Sequence, residues 1–172
     1  YMPTAAQNMP ISSDWETITV TIPQGSGMTS IGRASIPAKA VQIQIVDAQA
    51  ADLSIQTSYL RTWGSPFDDA GYKRPLRPNS YPVKLLPQQD NAFICPFGGP
   101  LMLNYRNATA GSIITLKIKG SAKYAHYDFT QEMSSTEKNA ATQVLHSKTF
   151  GWNTFKYVGG EIQQTNAYAL NA

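Results

Sequence analysis

The chain has 172 residues, of which 42% are hydrophobic and only 15% charged, and it carries a net charge of +3 and one cysteine. This length suits one large domain, and the single cysteine excludes an intramolecular disulfide and any multi-cysteine metal site. No stretch approaches the ~20 apolar residues of a membrane helix, and the basic residues are too sparse for a nucleic-acid-binding stripe.

The first half of the chain predicts β-strands. Residues 1–13 are polar and punctuated by proline, so we expect an extended lead-in followed by a single domain over 14–172. Isoleucine and valine alternate with threonine over 16–22 and with glutamine over 40–46, which is the period-two pattern of a half-buried strand. Residues 52–58 repeat this pattern more weakly.

Alternation stops over residues 59–82, which hold four prolines, two glycines and five aromatic residues. A loop of this length is uncommon in a compact domain unless it has a function. Its rings and cations predict a flat sugar- or peptide-binding surface, with Tyr59, Arg61, Trp63, Tyr72, Arg74 and Arg77 as the ligand-binding candidates. In the alternative interpretation, the rings close one end of the domain and the cations are solvated.

Residues 91–105 and 112–120 form the most informative stretch and predict three strands with two connections. Gly98 and Gly99 lie where the backbone must turn or approach another segment closely, so we assign them a structural role. Cys95 lies among apolar residues and is interpreted as a small buried hydrophobe.

The remaining elements complete a mainly β prediction. Short strands are expected over 83–86 and 123–129, and the tail over 151–168 predicts a strand, a glycine turn and a further extended segment. Helical spacing of apolar residues after a capping serine predicts one short helix near residues 135–146. We therefore predict an antiparallel β-sandwich, of jelly-roll or immunoglobulin-like type, with one short helix.

No catalytic residue is predicted. His126 and His146 are twenty positions apart and neither precedes a glutamate, which excludes a His-Glu-x-x-His zinc helix. His126 and Asp128 share a strand face and could bind a metal only with a third ligand such as Glu161, so a hydrogen-bonded or exposed histidine is the preferred interpretation. Ser135 and Lys138 match a Ser-x-x-Lys pattern, but a helix-capping serine explains the match.

Four motifs occur in an order that resembles a known family. They are the segment GRASIPAKAVQIQIV at 32–46, the 63–77 segment containing KRP, the segment CPFGGPLMLNY at 95–105, and ITLKIKG at 114–120. Together they resemble the front part of the enhancin-like, mucin-degrading metallopeptidase family (peptidase family M-sixty). In that family a β-sandwich precedes a zinc-dependent catalytic domain, and nothing in this chain corresponds to the zinc helix.

The resemblance implies a non-catalytic accessory domain of a secreted or surface-attached bacterial glycoprotein-degrading metallopeptidase. Such a domain would support the catalytic domain of the same parent protein, which would hold the zinc, and would dock glycosylated substrate such as a host mucin. This chain itself would contain no cofactor. Two alternatives stay open: a free-standing carbohydrate-binding module and a protein-binding adhesion domain. Because the chain begins at Tyr1, we expect a processed protein or an excised fragment.

Overall fold

Two antiparallel sheets face each other in the computed structural model, which describes residues 4–58, 79–147 and 149–171. The first sheet has four strands in the order β1 (Glu16–Thr21), β8 (Ile113–Lys119), β3 (Val41–Asp47) and β6 (Asn91–Phe93). The second has five strands in the order β5 (Val83–Lys84), β4 (Asp52–Thr57), β7 (Gly99–Arg106), β2 (Gly27–Ser35) and β9 (Ala122–Lys123). The prediction of a mainly β fold is confirmed.

The apolar side chains that alternate along the strands meet between the two sheets. In β1, Ile18 and Val20 are buried while Thr17 and Thr19 are exposed. Both sheets contribute to this core, which includes Ile43, Leu116 and Ile118 from the first and Ile55, Leu101 and Leu103 from the second. Burial of one face of each sheet is what a two-layer β-sandwich requires.

The stretch 91–105 crosses from one sheet to the other. β6 pairs with β3 in the first sheet, whereas β7 pairs with β4 and β2 in the second. Cys95 is buried in the core at the crossing, and Gly98 and Gly99 follow it with φ values of +66° and +132°. β7 is buried on both faces, because Leu103 points into the core and Met102 points to the opposite side.

A third sheet lies outside the sandwich and contains β10 (Ala125–Asp128), β11 (Trp152–Tyr157) and β12 (Gly160–Thr165). β11 and β12 form an antiparallel hairpin, but β10 and β11 are parallel. Parallel neighbours need a crossover connection, which the helix α1 (Ser135–Ser147) supplies. The antiparallel arrangement predicted for the chain therefore holds for β11 and β12 but not for the β10–β11 pair.

Helix α1 occupies the predicted position and begins with a capping box. The Ser134 hydroxyl accepts a hydrogen bond from the Glu137 backbone N–H (3.2 Å), and the Glu137 carboxylate accepts one from the Ser134 backbone N–H (2.8 Å). These reciprocal bonds satisfy donors that a helix start leaves unpaired.

Two further helical segments were not predicted. A 3-10 helix over Thr4–Asn8 replaces part of the expected extended lead-in, and its Ala6 packs in a second small core with Phe150 and Trp152. Helix α2 (Asn166–Asn171) ends the described chain, where extended structure was expected. None of the helices in the described ranges is long and apolar enough to cross a membrane.

Candidate functional site

The third sheet turns its charged side chains towards the sandwich. The Glu161 carboxylate accepts hydrogen bonds from the Ser30 backbone N–H (3.0 and 3.1 Å) and from the Thr29 hydroxyl. Lys156, its cross-strand partner, is 1% exposed, and its Nζ donates to the carbonyl oxygens of Thr21 (2.9 Å) and Ser30 (3.3 Å). These charge-assisted bonds attach the third sheet to the sandwich.

His126 in β10 joins this attachment through the Ser30 side chain. Its Nε2 lies 2.8 Å from Ser30 Oγ, and its ring contacts Tyr124 edge-on. Desolvation lowers the pKa of His126 to about 4, although the Asp128 carboxylate opposes this shift. The imidazole is therefore neutral at pH 7. We call Thr29, Ser30, His126, Lys156 and Glu161 the Ser30 cluster.

The Ser30 cluster is suited to attachment rather than to catalysis. A serine hydroxyl hydrogen-bonded to a histidine is the arrangement of a nucleophile and its base. Ser30 is 1% exposed, however, so its hydroxyl cannot meet a substrate. Glu161 binds the Ser30 amide and does not orient the imidazole.

The cluster also does not provide a metal site. His126 is bonded to Ser30, and the Asp128 carboxylate accepts hydrogen bonds from Thr130. No group of three or more His, Cys, Asp or Glu residues in the described ranges could hold a metal. The zinc expected for the family therefore finds no fitting ligand set in this part of the chain.

A cleft of about 260 Å³ opens beside the cluster, between the β11–β12 hairpin and the outer face of the second sheet. Polar groups on its wall come from Gln24, Ser58, Glu161 and Gln163, and apolar surface comes from Met28, Met102, Tyr105 and Tyr157. The Ser58 hydroxyl is buried and has no hydrogen-bond partner. Because this oxygen is shielded from solvent, it is not open to a ligand in the cleft.

Tyr105 forms the inner end of the cleft. Gly27 allows its close approach, because a Cβ at position 27 would lie 3.1 Å from the Tyr105 hydroxyl oxygen. Burial raises the pKa of Tyr105, while its hydrogen bond to the Gln24 backbone lowers it. The cleft thus combines amide groups with a carboxylate, two phenol rings and two thioethers. This chemistry suits a small, neutral polyhydroxylated ligand and disfavours an anion.

The six ligand-binding candidates predicted from sequence lie outside the described residues. Tyr59, Arg61, Trp63, Tyr72, Arg74 and Arg77 all fall within 59–78. The residues that flank this segment, Ser58 and Asn79, form an isolated antiparallel bridge, and Ser58 lines the cleft. The two described flanking residues therefore pair with each other, and of the two only Ser58 lines the cleft.

Sequence reasoning did not single out Ser30, Ser58 or Lys156. A lysine between Phe155 and Tyr157 in an alternating strand indicates that its side chain points away from the two rings. That pattern could have placed Lys156 on the inner face. Nothing in the sequence around Ser30 or Ser58 marks either serine, because their partners lie far away along the chain.

Comparison with known proteins identifies longer relatives. The immunomodulating metalloprotease of Pseudomonas aeruginosa is 34% identical over 148 residues, which are 85% of this chain and 16% of that protein. The structure of IMPa from the same organism in complex with an O-glycopeptide matches 97% of this chain and 19% of that one, with 32% identity and a TM-score of 0.82. A second structure, of IMPa with T-antigen, gives 31% identity and a TM-score of 0.81 over the same shares of both chains.

More distant similarity concerns the fold alone. The ZmpB metallopeptidase from Clostridium perfringens is 12% identical with a TM-score of 0.55, covering 96% of this chain and 32% of that one. No protein-family model matches the chain. The chain spans less than a fifth of the length of the Pseudomonas relatives.

Proposed function

Since this chain is homologous to one section of the enhancin-like (M-sixty) metallopeptidases, as its motifs predicted, we propose that it is a non-catalytic accessory domain of a secreted glycoprotein-degrading zinc metallopeptidase. The observation that carries this proposal is 34% identity over 85% of the chain with a relative of which it represents only 16%. A segment matched along nearly its whole length inside a much longer protein is typical of one domain among several.

The use of the charged side chains supports a non-catalytic role. Glu161, Lys156 and His126 make hydrogen bonds that hold the third sheet to the sandwich. Catalytic acids and bases need contact with a substrate, and these three groups face the interior of the domain instead. In the proposed protein, the catalytic domain of the same polypeptide holds the zinc and performs the hydrolysis.

Docking of glycosylated substrate is the second part of the proposal. The relatives were solved with an O-glycopeptide and with T-antigen. In this chain, the cleft offers amide side chains and the Tyr157 ring on one surface, which are groups that suit a glycan. The partners would be host glycoproteins or mucin glycans outside a bacterial cell, at its surface or in the medium.

Peptidase assays test the accessory role. The isolated chain, supplied with Zn²⁺, is expected to leave a mucin-type O-glycopeptide intact, whereas the whole polypeptide that carries it is expected to cleave that peptide. Cleavage by the isolated chain would overturn the non-catalytic assignment. Absence of cleavage by the whole polypeptide would overturn the metallopeptidase assignment.

A free-standing carbohydrate-binding module is the alternative function, and the cleft, with the Gln24 amide and the Tyr157 ring on its wall, favours it. Glycan-array binding by the isolated chain should then be lost in Trp63→Ala and in Gln24→Ala. The control is Glu132→Ala, a change at an exposed residue outside the cleft. Failure to bind any mucin glycan would exclude this alternative.

A further inference from the structure

Four aromatic rings stack on the outward face of the third sheet. Tyr127 and Phe155 have ring centroids 4.9 Å apart with an angle of 7° between planes, and Phe129 and Tyr157 repeat this at 4.9 Å and 18°. The first pair lies directly opposite in the parallel β10–β11 ladder. The rings thus form an ordered strip that runs across two strands.

The polarity of this sheet is inverted relative to an ordinary surface sheet. Lys156 and Glu161 point towards the sandwich, while the residues before and after each of them along its strand point outwards. Phe129 is 48% exposed, Tyr157 44% and Ile162 52%. No outward position of these three strands carries a charged residue, the outward set being Ala125, Tyr127, Asn153, Phe155, Tyr157, Gly160, Ile162 and Gln164.

Helix α1 covers one edge of this surface, where the Tyr127 hydroxyl oxygen lies 2.9 Å from Thr142 Oγ1, and the remaining part is suited to being covered. Cross-strand aromatic pairs stabilise a sheet by themselves, at roughly 0.2–1 kcal/mol per pair. Ile162 is not part of these aromatic pairs, so their stabilisation of the sheet does not explain it. It lies next to Phe155, extends the apolar surface and stays half exposed. Contiguous exposed apolar surface on a soluble domain marks an interaction site. We name Tyr127, Phe129, Phe155, Tyr157 and Ile162 the aromatic face.

The ring orientation favours a protein partner over a glycan. Because the centroid separation matches the ~4.8 Å spacing of neighbouring strands, the ring planes stand upright on the sheet and direct their edges outwards. Sugar stacking uses the flat side of a ring, and here one flat side of each ring is covered by its neighbour. Ring edges and aliphatic groups instead pack against other apolar side chains.

The homologues indicate which protein this partner is. They carry the matched section inside one polypeptide of which it is only 16–19%. A tethered domain reaches a neighbouring surface at a high effective concentration, which even a modest interface converts into stable packing.

We propose that the aromatic face is the surface against which a further domain of the same polypeptide packs. This inference rests on the proposed function for the existence of that domain, and it adds the place of contact. The aromatic face joins the two domains, and the cleft shares Tyr157 with it near the β11–β12 turn.

Hydroxyl-radical footprinting of the isolated chain and of the whole polypeptide tests the proposal. Oxidation of Phe129 and Tyr157 should fall by at least about fivefold in the whole polypeptide, because an interface core excludes water. Tyr81, which is 93% exposed and lies outside the aromatic face, is the internal control and should be oxidised equally in both. The double variant Phe129→Ser/Ile162→Ser should restore oxidation of Tyr157 in the whole polypeptide.

Equal oxidation of Phe129 and Tyr157 in the two proteins would overturn the proposal. A gene that encodes no further domain would overturn it as well. Cleavage of an O-glycopeptide is measured separately on the same whole polypeptide. Protection of Phe129 and Tyr157 from oxidation without cleavage of the peptide would support the packing surface and contradict the peptidase assignment. Cleavage of the peptide without protection would support the peptidase assignment and overturn the packing surface.

Discussion

Lys156 and Glu161 are direct partners across the β11–β12 hairpin, and both turn away from solvent to bind backbone groups of the sandwich. The ammonium group donates to two carbonyl oxygens, and the carboxylate accepts from a backbone N–H of β2. Burial lowers the pKa of Lys156, and the Glu161 charge opposes that shift. Each charge therefore makes burial of the other less costly.

Glu161→Ala should destabilise the chain by about 2–4 kcal/mol, because the Ser30 N–H loses its acceptor and the buried ammonium loses the carboxylate beside it. Urea denaturation followed by tryptophan fluorescence measures the change, since Trp152 lies in the third sheet. The exposed Glu132→Ala is the control and should leave the midpoint unchanged. Equal midpoints for both variants would show that the third sheet does not depend on this carboxylate.

Stability should fall on acidification between pH 6.5 and about 4, because His126 binds a proton more weakly when folded than when unfolded. Below pH 6.5, the pKa of His126 in the unfolded chain, the unfolded chain binds the proton while the folded chain does not. The loss of folding stability levels off at about 3 kcal/mol once His126 is protonated in the folded chain too. Urea midpoints at pH 7 and pH 4.5 measure it. His126→Gln should flatten this dependence, whereas His146→Gln, at an exposed position of α1, should not. An unchanged slope in His126→Gln would contradict the assignment.

Gly32→Ala should destabilise the chain more than Gly111→Ala does. Both glycines have positive φ, +76° and +80°, so an alanine strains the backbone by about 1 kcal/mol at either position. A Cβ at position 32 would also lie 3.0 Å from His126 Nδ1, whereas position 111 has open space. The difference between the free energies of unfolding of the two variants measures the cost of crowding against His126. A difference of zero would show that the His126 ring moves aside.

Ser58→Ala should leave the stability of the free chain unchanged or raise it by up to about 1 kcal/mol, because it removes a buried hydroxyl without a partner. The same change should leave sugar binding unchanged, because the hydroxyl oxygen is shielded from solvent and cannot meet a ligand in the cleft. Thermal unfolding and glycan titration of one protein preparation measure the two outcomes. Loss of stability by 2 kcal/mol or more, on the scale of a broken buried hydrogen bond, would indicate that the hydroxyl has a structural partner.

Gly98→Val should damage folding before it damages any binding. Gly98 has φ +66°, a backbone conformation that a β-branched residue adopts only under strain, and it lies where the chain crosses between the sheets. Expression yield and circular dichroism measure the folding defect. A variant that folds normally but loses a ligand would contradict the structural role assigned to Gly98.

The candidate site was predicted less completely than the fold. Trp63 and the other five ligand-binding candidates lie outside the described residues, so their role stays a prediction, although the flanking Ser58 lines the cleft. Glu161 was considered only as a third metal ligand, whereas in the structure its carboxylate accepts a hydrogen bond from the Ser30 backbone N–H. These two residues are separated by 131 positions, and no local pattern records a contact over that distance.

The sequence by itself determined most strands of the sandwich, though not β2, and helix α1, because alternation and helix capping act between residues a few positions apart. The sequence also carried the resemblance to the enhancin-like metallopeptidases, because four motifs occur in the same order as in that family. Only the tertiary structure decided that β6 and β7 belong to different sheets, that β10 pairs in parallel with β11, and that the third sheet buries its charges and exposes its rings. Those outcomes depend on which distant surfaces can satisfy each buried polar group, and that choice is made only when the whole chain packs.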